Sequence, residues 1–193
     1  MTVRTLVMYG MLLVVGLAAG AWGVDVPRSA RMIKEAGNDF LAAKRYADAI
    51  DCYLQALEIY PDFAEAHYNL GVAFLKGYRA YHLARFHFER YLALRPEASD
   101  REDVETLVDA LAEREAPLPS EPGRVVAVVG DRLVVSGKEW IRPGERIEVV
   151  DGEVPCASLV AQYVYPDCIL TQRIRDARTL ERIQPGLAVA TGR

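Results

Sequence analysis

Cysteine and histidine are scarce in this chain of 193 residues, three of each, and tryptophan occurs twice. Three cysteines do not make a disulfide-stapled scaffold, and an odd count leaves at least one unpaired or engaged with another chain. Cys52 falls on a predicted helix and reads as a small core residue. Cys156 and Cys168 flank a predicted hairpin out of register, which argues against a bridge between them. The histidines are His67, His82 and His87. The last two, five residues apart, face different sides of one helix, so no metal site is expected, and no cofactor. HExxH, GxSxG and the phosphate-binding glycine loop are all missing, and the chain is not read as an enzyme. A large excess of one charge is missing too. The formal net charge is −4, with about −6 on the helical half and about +1 on the C-terminal part. An acidic helical half argues against nucleic acid as a partner.

Long apolar runs are absent except for one. After Arg4 no charge occurs before Asp25, and Ala19–Ala21 supplies small residues suited to cleavage. This pattern predicts a secretory signal peptide, with the mature chain starting near Trp22. The competing reading is an uncleaved membrane anchor over residues 5–22. Either reading places the rest of the chain outside the cytoplasm, with membrane contact only through the N-terminus. The expected division is a signal or anchor over 1–23, a helical domain over 24–115, a linker over 116–123 and a small β domain over 124–193.

The helical part repeats itself. Gly37 and Phe40 recur as Gly71 and Phe74 after 34 residues, and Ala49, Tyr53 and Pro61 recur as Ala84, Phe88 and Pro96 after 35. Such a period marks an array of paired helices. The one-residue slip is expected in the turn around Tyr78–Tyr81, where loops absorb length changes. Glycine within a helix is unfavourable, so its reuse predicts close helix crossings at Gly37 and Gly71. Pro61 and Pro96 should end the second helix of each pair. Beyond Pro96, Ser99 or Asp100 is a candidate N-cap. Val104, Leu107, Val108 and Leu111 then form the apolar stripe of a fifth, capping helix.

With "AEAHYNLGVAF" and "YADAIDCYLQALEIYP" in view, the segment from Ala30 to Pro96 resembles tetratricopeptide repeats. The resemblance implies an α–α superhelix whose first helices line a groove for a protein or peptide segment. Candidate partner-binding residues on those helices are Arg31, Lys34, Asn38, Tyr68, Asn69, Val72 and Leu75. Lys34, Asn38 and Asn69 match positions that hold a peptide carboxylate in some family members. The next helix offers Asp100 and Val104 instead of further cations, so that clamp is incomplete. Tyr68 is the expected aromatic anchor. Two departures stand out: His67 at a position often aromatic, and Tyr91 where the first repeat has Ala56.

From Arg124 the pattern changes to short β-branched runs. Gly130-Asp131 separates two of them, a hairpin signal. "ERIEVV" alternates as a half-buried strand does, and a second hairpin is expected at Tyr165–Asp167. Pro143-Gly144 and Pro185-Gly186 suit type II turns. Several short strands in about 70 residues suggest a small barrel. The segment resembles small β-barrel domains of bacterial envelope and flagellar-assembly proteins. The expected fold class is therefore α+β in separate domains. The expected function is an extracytoplasmic adaptor, with the periplasm as its expected address, that docks a protein segment in the repeat groove. The alternative is a ligand-sensing module whose β domain takes a glycan or small anion; Arg173, Arg175, Arg178 and Arg182 with Trp140, Tyr163 and Tyr165 are the cationic and aromatic residues for it.

Overall fold

The computed structural model describes residues 25–115, 123–137, 141–152, 154–166 and 168–191. The predicted signal or anchor segment, most of the linker, and Trp140 lie outside these residues. Five helices come first: α1 (Arg28–Ala42), α2 (Tyr46–Ile59), α3 (Ala64–Tyr78), α4 (Tyr81–Leu94) and α5 (Arg101–Ala112). Each packs on the next in sequence, so the helical repeats are present as predicted.

The recurring residues do what their types suggest. A Cβ at Gly37 would come within 2.7 Å of the Tyr53 ring, and one at Gly71 within 3.0 Å of Phe88. Both glycines therefore sit at crossings too tight for a side chain. Ala49, Tyr53, Phe74, Ala84 and Phe88 are all fully buried between the helices. Helices α2 and α4 end two residues before Pro61 and Pro96.

The repeat slip lies elsewhere than expected. The turn after α1 has Lys44 at φ 58°, and the turn after α3 has Arg79 at φ 52°, 35 residues later. The left-handed residues thus correspond, and the extra residue falls before Arg79, in the last turn of α3. Gly77 makes that extension possible, since a Cβ there would stand 2.7 Å from Tyr46.

The α5 cap also differs from expectation. Asp100 occupies the N-cap position but its carboxylate makes no capping bond. Instead Asp100 Oδ1 accepts a 2.7 Å hydrogen bond from the Tyr91 hydroxyl. Burial and that neighbouring carboxylate push the Tyr91 phenol up to about 12. The residue that departs from the first repeat at this position is what ties α5 to α4.

The C-terminal part is a six-stranded antiparallel sheet: β1 (Val125–Val129), β2 (Arg132–Ser136), β3 (Arg146–Asp151), β4 (Val154–Val164), β5 (Cys168–Thr171) and β6 (Ala188–Thr191), in the order β1-β2-β5-β4-β3-β6. A one-and-a-half-turn helix, α6 (Ala177–Arg182), unforeseen in the sequence, is capped by Asp176, which accepts from the Arg178 and Thr179 amides. The sheet curls until its outer strands meet. Val125 N–H donates to Leu187 C=O at 2.9 Å, Gly186 N–H to Val125 C=O at 2.7 Å, and Val189 N–H to Gly123 C=O at 2.7 Å. Gly130, Gly144 and Gly186 carry the positive φ angles that the predicted turns require. Leu133, Val135, Ile147, Val149, Leu159 and Ile169 fill the interior of the curl.

Strands β2 and β5 are buried along their whole length. One face lines the curl. The other, with Val134, Cys168 and Leu170, joins the core of the helical repeats. Their unbroken apolar runs follow from burial on both sides. None of the three cysteines is in a disulfide.

Candidate functional site

The two faces of the helical array are treated differently. The curled sheet sits against the second helices, α2 and α4, and against the C-terminal end of α3. Tyr165 packs edge-on against Phe86 at 5.1 Å and against His87 at 5.5 Å. The β1–β2 turn presses on the helix ends, since a Cβ on Gly130 would lie 2.8 Å from the Tyr78 hydroxyl.

Charges close this seam. Arg132, with only 8% of its side chain exposed, pairs with Asp51 of α2 at 2.7 Å. Its other terminal nitrogen donates to Gln162 Oε1 at 2.6 Å and to the Thr171 carbonyl at 2.7 Å. Arg173 joins the same Asp51 at 2.8 Å and Asp131 at 2.6 Å. Tyr163 donates to Glu58 at 2.5 Å. Burial first, and then that carboxylate, raises its phenol well above the ordinary value. Arg173, Tyr163 and Tyr165, candidates for a polyanion patch, are thus committed to the helices.

A buried chain of rings crosses the same seam. His67 Nε2 lies 2.9 Å from the Pro61 carbonyl, which can only accept, so that nitrogen carries the proton. His67 Nδ1 is then the acceptor facing His87 Nδ1 at 3.0 Å, and His87 Nδ1 donates. His87 Nε2 in turn accepts from the Tyr165 hydroxyl at 3.2 Å. Every group is satisfied with both rings neutral. Burial lowers both histidines, His87 well below its ordinary value. His67 is therefore explained: an imidazole replaces an aromatic because it must hydrogen-bond along this chain.

The candidate residues on α1 and α3 lie on the other face. Asn38 is their hub. Its Oδ1 accepts from the Tyr53 hydroxyl at 2.9 Å and from Asn69 Nδ2 at 2.8 Å, and its Nδ2 donates to Glu35 at 3.0 Å. Lys34 pairs with Glu35 at 2.5 Å and stands 5.9 Å over the Phe63 ring. Glu35 is held below the usual carboxylate range by the Lys34 hydrogen bond and charge. Arg31 is exposed. Tyr68, Val72 and Leu75 are half-buried against the helical core. The Tyr68 ring meets Phe88 at 5.5 Å and Tyr91 at 5.2 Å, both edge-on. It offers one side to solvent and cannot be truncated without loss to the core.

Chemically, this face presents amides and cations at the surface of an apolar floor. Asn38 has spent its carbonyl, while Asn69 keeps its own carbonyl free of any partner among the described residues. Such amides suit the backbone of an extended peptide. Sequence reasoning placed these residues on one face. It missed Arg132 and Asp51, whose pairing spans 81 positions and leaves no periodic signal.

Comparison with known proteins bears on the helical half. No curated protein matches the chain. Among solved structures it is similar to the first TPR of Spaghetti (RPAP3) bound to an HSP90 peptide, at 20% identity over 48% of this chain and 73% of that one, with a TM-score of 0.42. It is similar also to the TPR2B domain of yeast Sti1 in its pHsp70 complex, at 17% identity over 45% of this chain and 71% of that one, with a TM-score of 0.41. The TPR repeat family model matches residues 37–77, the stretch from the first close-crossing glycine to the glycine that extends α3.

Proposed function

We propose that the chain is a non-enzymatic adaptor that docks a segment of another protein across the face formed by its first helices. The supporting observation is the one-sided use of the array. The curled sheet takes α2 and α4 through Arg132, Arg173, Tyr163 and Tyr165, and the residues of α1 and α3 keep polar groups directed outward. The match of the TPR repeat model to residues 37–77 favours the same reading. A protein whose second-helix face is already occupied has its first-helix face left for an incoming partner. The apolar N-terminus and the likeness of the β domain to envelope domains favour an address outside the cytoplasm, in the periplasm, with the curled sheet fixing the position of the repeats within an assembly.

The test uses the full chain, because a severed repeat domain would expose Leu54, Phe86 and Asp51. Arg31→Glu combined with Asn69→Ala changes two outward groups and removes one part-buried hydrogen bond, from Asn69 to Asn38. Capture of the partner from an envelope fraction should fall at least tenfold, equivalent to about 1.4 kcal/mol, while the fold loses no more than about 0.5–1.5 kcal/mol in a thermal melt. Equal capture by the variant would remove the site from this face. Fractionation with mass determination of the N-terminus tests the address; a full-length chain in the cytosol would overturn it.

A further inference from the structure

Strand β4 has 11 residues and its neighbour β5 has four. On one side β4 pairs with β3 from Val154 to Val160. On the other, β5 reaches only Ala161–Val164. One more bond, from the Gln172 amide to the Val160 carbonyl at 2.9 Å, extends that ladder. The chain then leaves β4, and the Ile174 amide donates to the Asp131 carbonyl at 2.6 Å. Residues Val154–Leu159 are therefore without a strand on that side among the described residues. Because backbone groups alternate along a strand, Ser158 directs its N–H and C=O the same way as Val160, into the gap.

The gap is a cleft of about 1130 Å³ whose walls include Arg132, Cys156, Ser158, Gln172, Arg175 and Thr179. A space of this size holds an extended segment of several residues. Pro155, which lacks an N–H, and the bulge between Val149 and Val150 bound the open stretch at its far end. Val154 beside it is 57% exposed, one of few large apolar residues so placed among the described residues. The charges in the cleft are mostly spent. Arg132 and Arg173 are held by Asp51 and Asp131, and Asp176 accepts from the Thr179 amide and hydroxyl. Arg175 is exposed, and it is the cation of the lining without a hydrogen bond or ion pair among the described residues.

We propose that this open edge of β4 is a second docking site, where an extended acidic segment of a partner protein adds as a strand in the line that β5 abandons after Thr171. The Ser158 amide and carbonyl pair with the incoming backbone. Arg175 meets its carboxylate. Antiparallel addition continues the direction of β5, and the new strand would pass beside α6, which already approaches β4. With the first-helix face, this edge gives the adaptor two sites on separate domains.

The experiment follows amide exchange in the nitrogen-15-labelled full chain, with an acetylated six-residue peptide of alternating valine and threonine carrying one central glutamate as probe. The Ser158 amide should exchange freely in the chain alone and slow at least tenfold at saturation. Arg175→Glu should weaken the peptide about tenfold, and so should a peptide with lysine in place of its glutamate. A backbone N-methylated peptide of the same charge should not bind. Slow exchange at Ser158 before any peptide is added would mean the edge is already occupied and would overturn the proposal. So would equal binding of the N-methylated peptide, which marks a simple anion site, or peptide effects confined to α1 and α3.

Discussion

Two faces of one helical array, built from the same repeated grammar, have met different fates. The second helices carry Asp51, Glu58, Phe86 and His87, and these are satisfied by Arg132, Tyr163 and Tyr165 from a domain far along the chain. The first helices carry Lys34, Asn38 and Asn69, and these are satisfied by each other and by Glu35 and Tyr53. Periodic residues make the array, and non-periodic ones decide which face is sealed. If this contrast is right, perturbing the seam should damage folding, and perturbing the open face should damage binding alone.

The largest effect is expected at Arg132. Its removal leaves the Thr171 carbonyl buried without a donor and Asp51 short of a charge partner. Losing one member of a fully buried pair typically costs about 3–5 kcal/mol; Asp51 is 28% exposed and keeps Arg173, so about 3 kcal/mol is expected here. Arg132→Ala should lower the urea midpoint accordingly and expose the apolar seam to a hydrophobic dye. A midpoint within error of the parent chain would mean that the seam is held by its apolar contacts, and the contrast between the faces would lose its electrostatic half.

Next in size is the overpacking of the crossings. Gly37→Leu and Gly71→Leu each place side chains where even a Cβ meets a ring at 2.7 or 3.0 Å. A loss of about 1–3 kcal/mol in thermal melts is expected. Both glycines are internal to the repeats, so the seam should unfold along with them; separate transitions would show that the two domains are only loosely joined.

The ring chain across the seam predicts an acid sensitivity of smaller slope. His67 and His87 have folded values below the unfolded value near 6.5, because burial disfavours their cations. The unfolded chain therefore binds more protons as the pH drops through that value. Stability is full above about pH 6.5 and falls below it, by up to about 1.4 kcal/mol per pH unit for each ring. Arg90 lies near both rings and deepens the effect, whereas Asp62 opposes it at His67. Urea melts between pH 7 and pH 5 should show this slope, and His87→Phe should flatten it. An unchanged slope would assign the acid sensitivity to carboxylates elsewhere.

Legibility in the sequence followed the same division. The five helices were readable because Gly37, Tyr53 and Ala49 return with their partners at a fixed spacing, and the strands because β-branched runs are punctuated by Gly130, Gly144 and Gly186. The slip was misplaced because the residues that mark the turns in space, Lys44 and Arg79, adopt positive φ without being glycine. Helix α6 has only six residues, too few for a period to show, although Asp176 before Thr179 is a capping signal in retrospect. The candidate face was readable from helical spacing. Its internal bonding was not, because Asn38 could equally have pointed its carbonyl at solvent. The seam was invisible, since nothing in one sequence ties Asp51 to Arg132.

The smallest effect sharpens the contrast most. Lys34 lies on the first-helix face with 15% of its side chain exposed, and its partner Glu35 is 65% exposed. Water reaches the pair through Glu35, and ion pairs open to solvent contribute on the order of 0.2–1 kcal/mol. Its distant contact with the Phe63 ring adds a similar or smaller amount. Lys34→Ala should therefore shift the melting free energy by less than about 1 kcal/mol, and a double-mutant cycle with Glu35→Ala should show a coupling that fades at high salt. Arg132 and Asp51, coupled across the buried seam, should keep theirs. The same Lys34→Ala variant should capture the partner less well, because a cation whose pairing with Glu35 is of little value to the fold can exchange that partner for a ligand. A coupling at Lys34 as large and as salt-resistant as that at Arg132 would make the first-helix face structural, and the docking site would have to be sought on the open edge of β4.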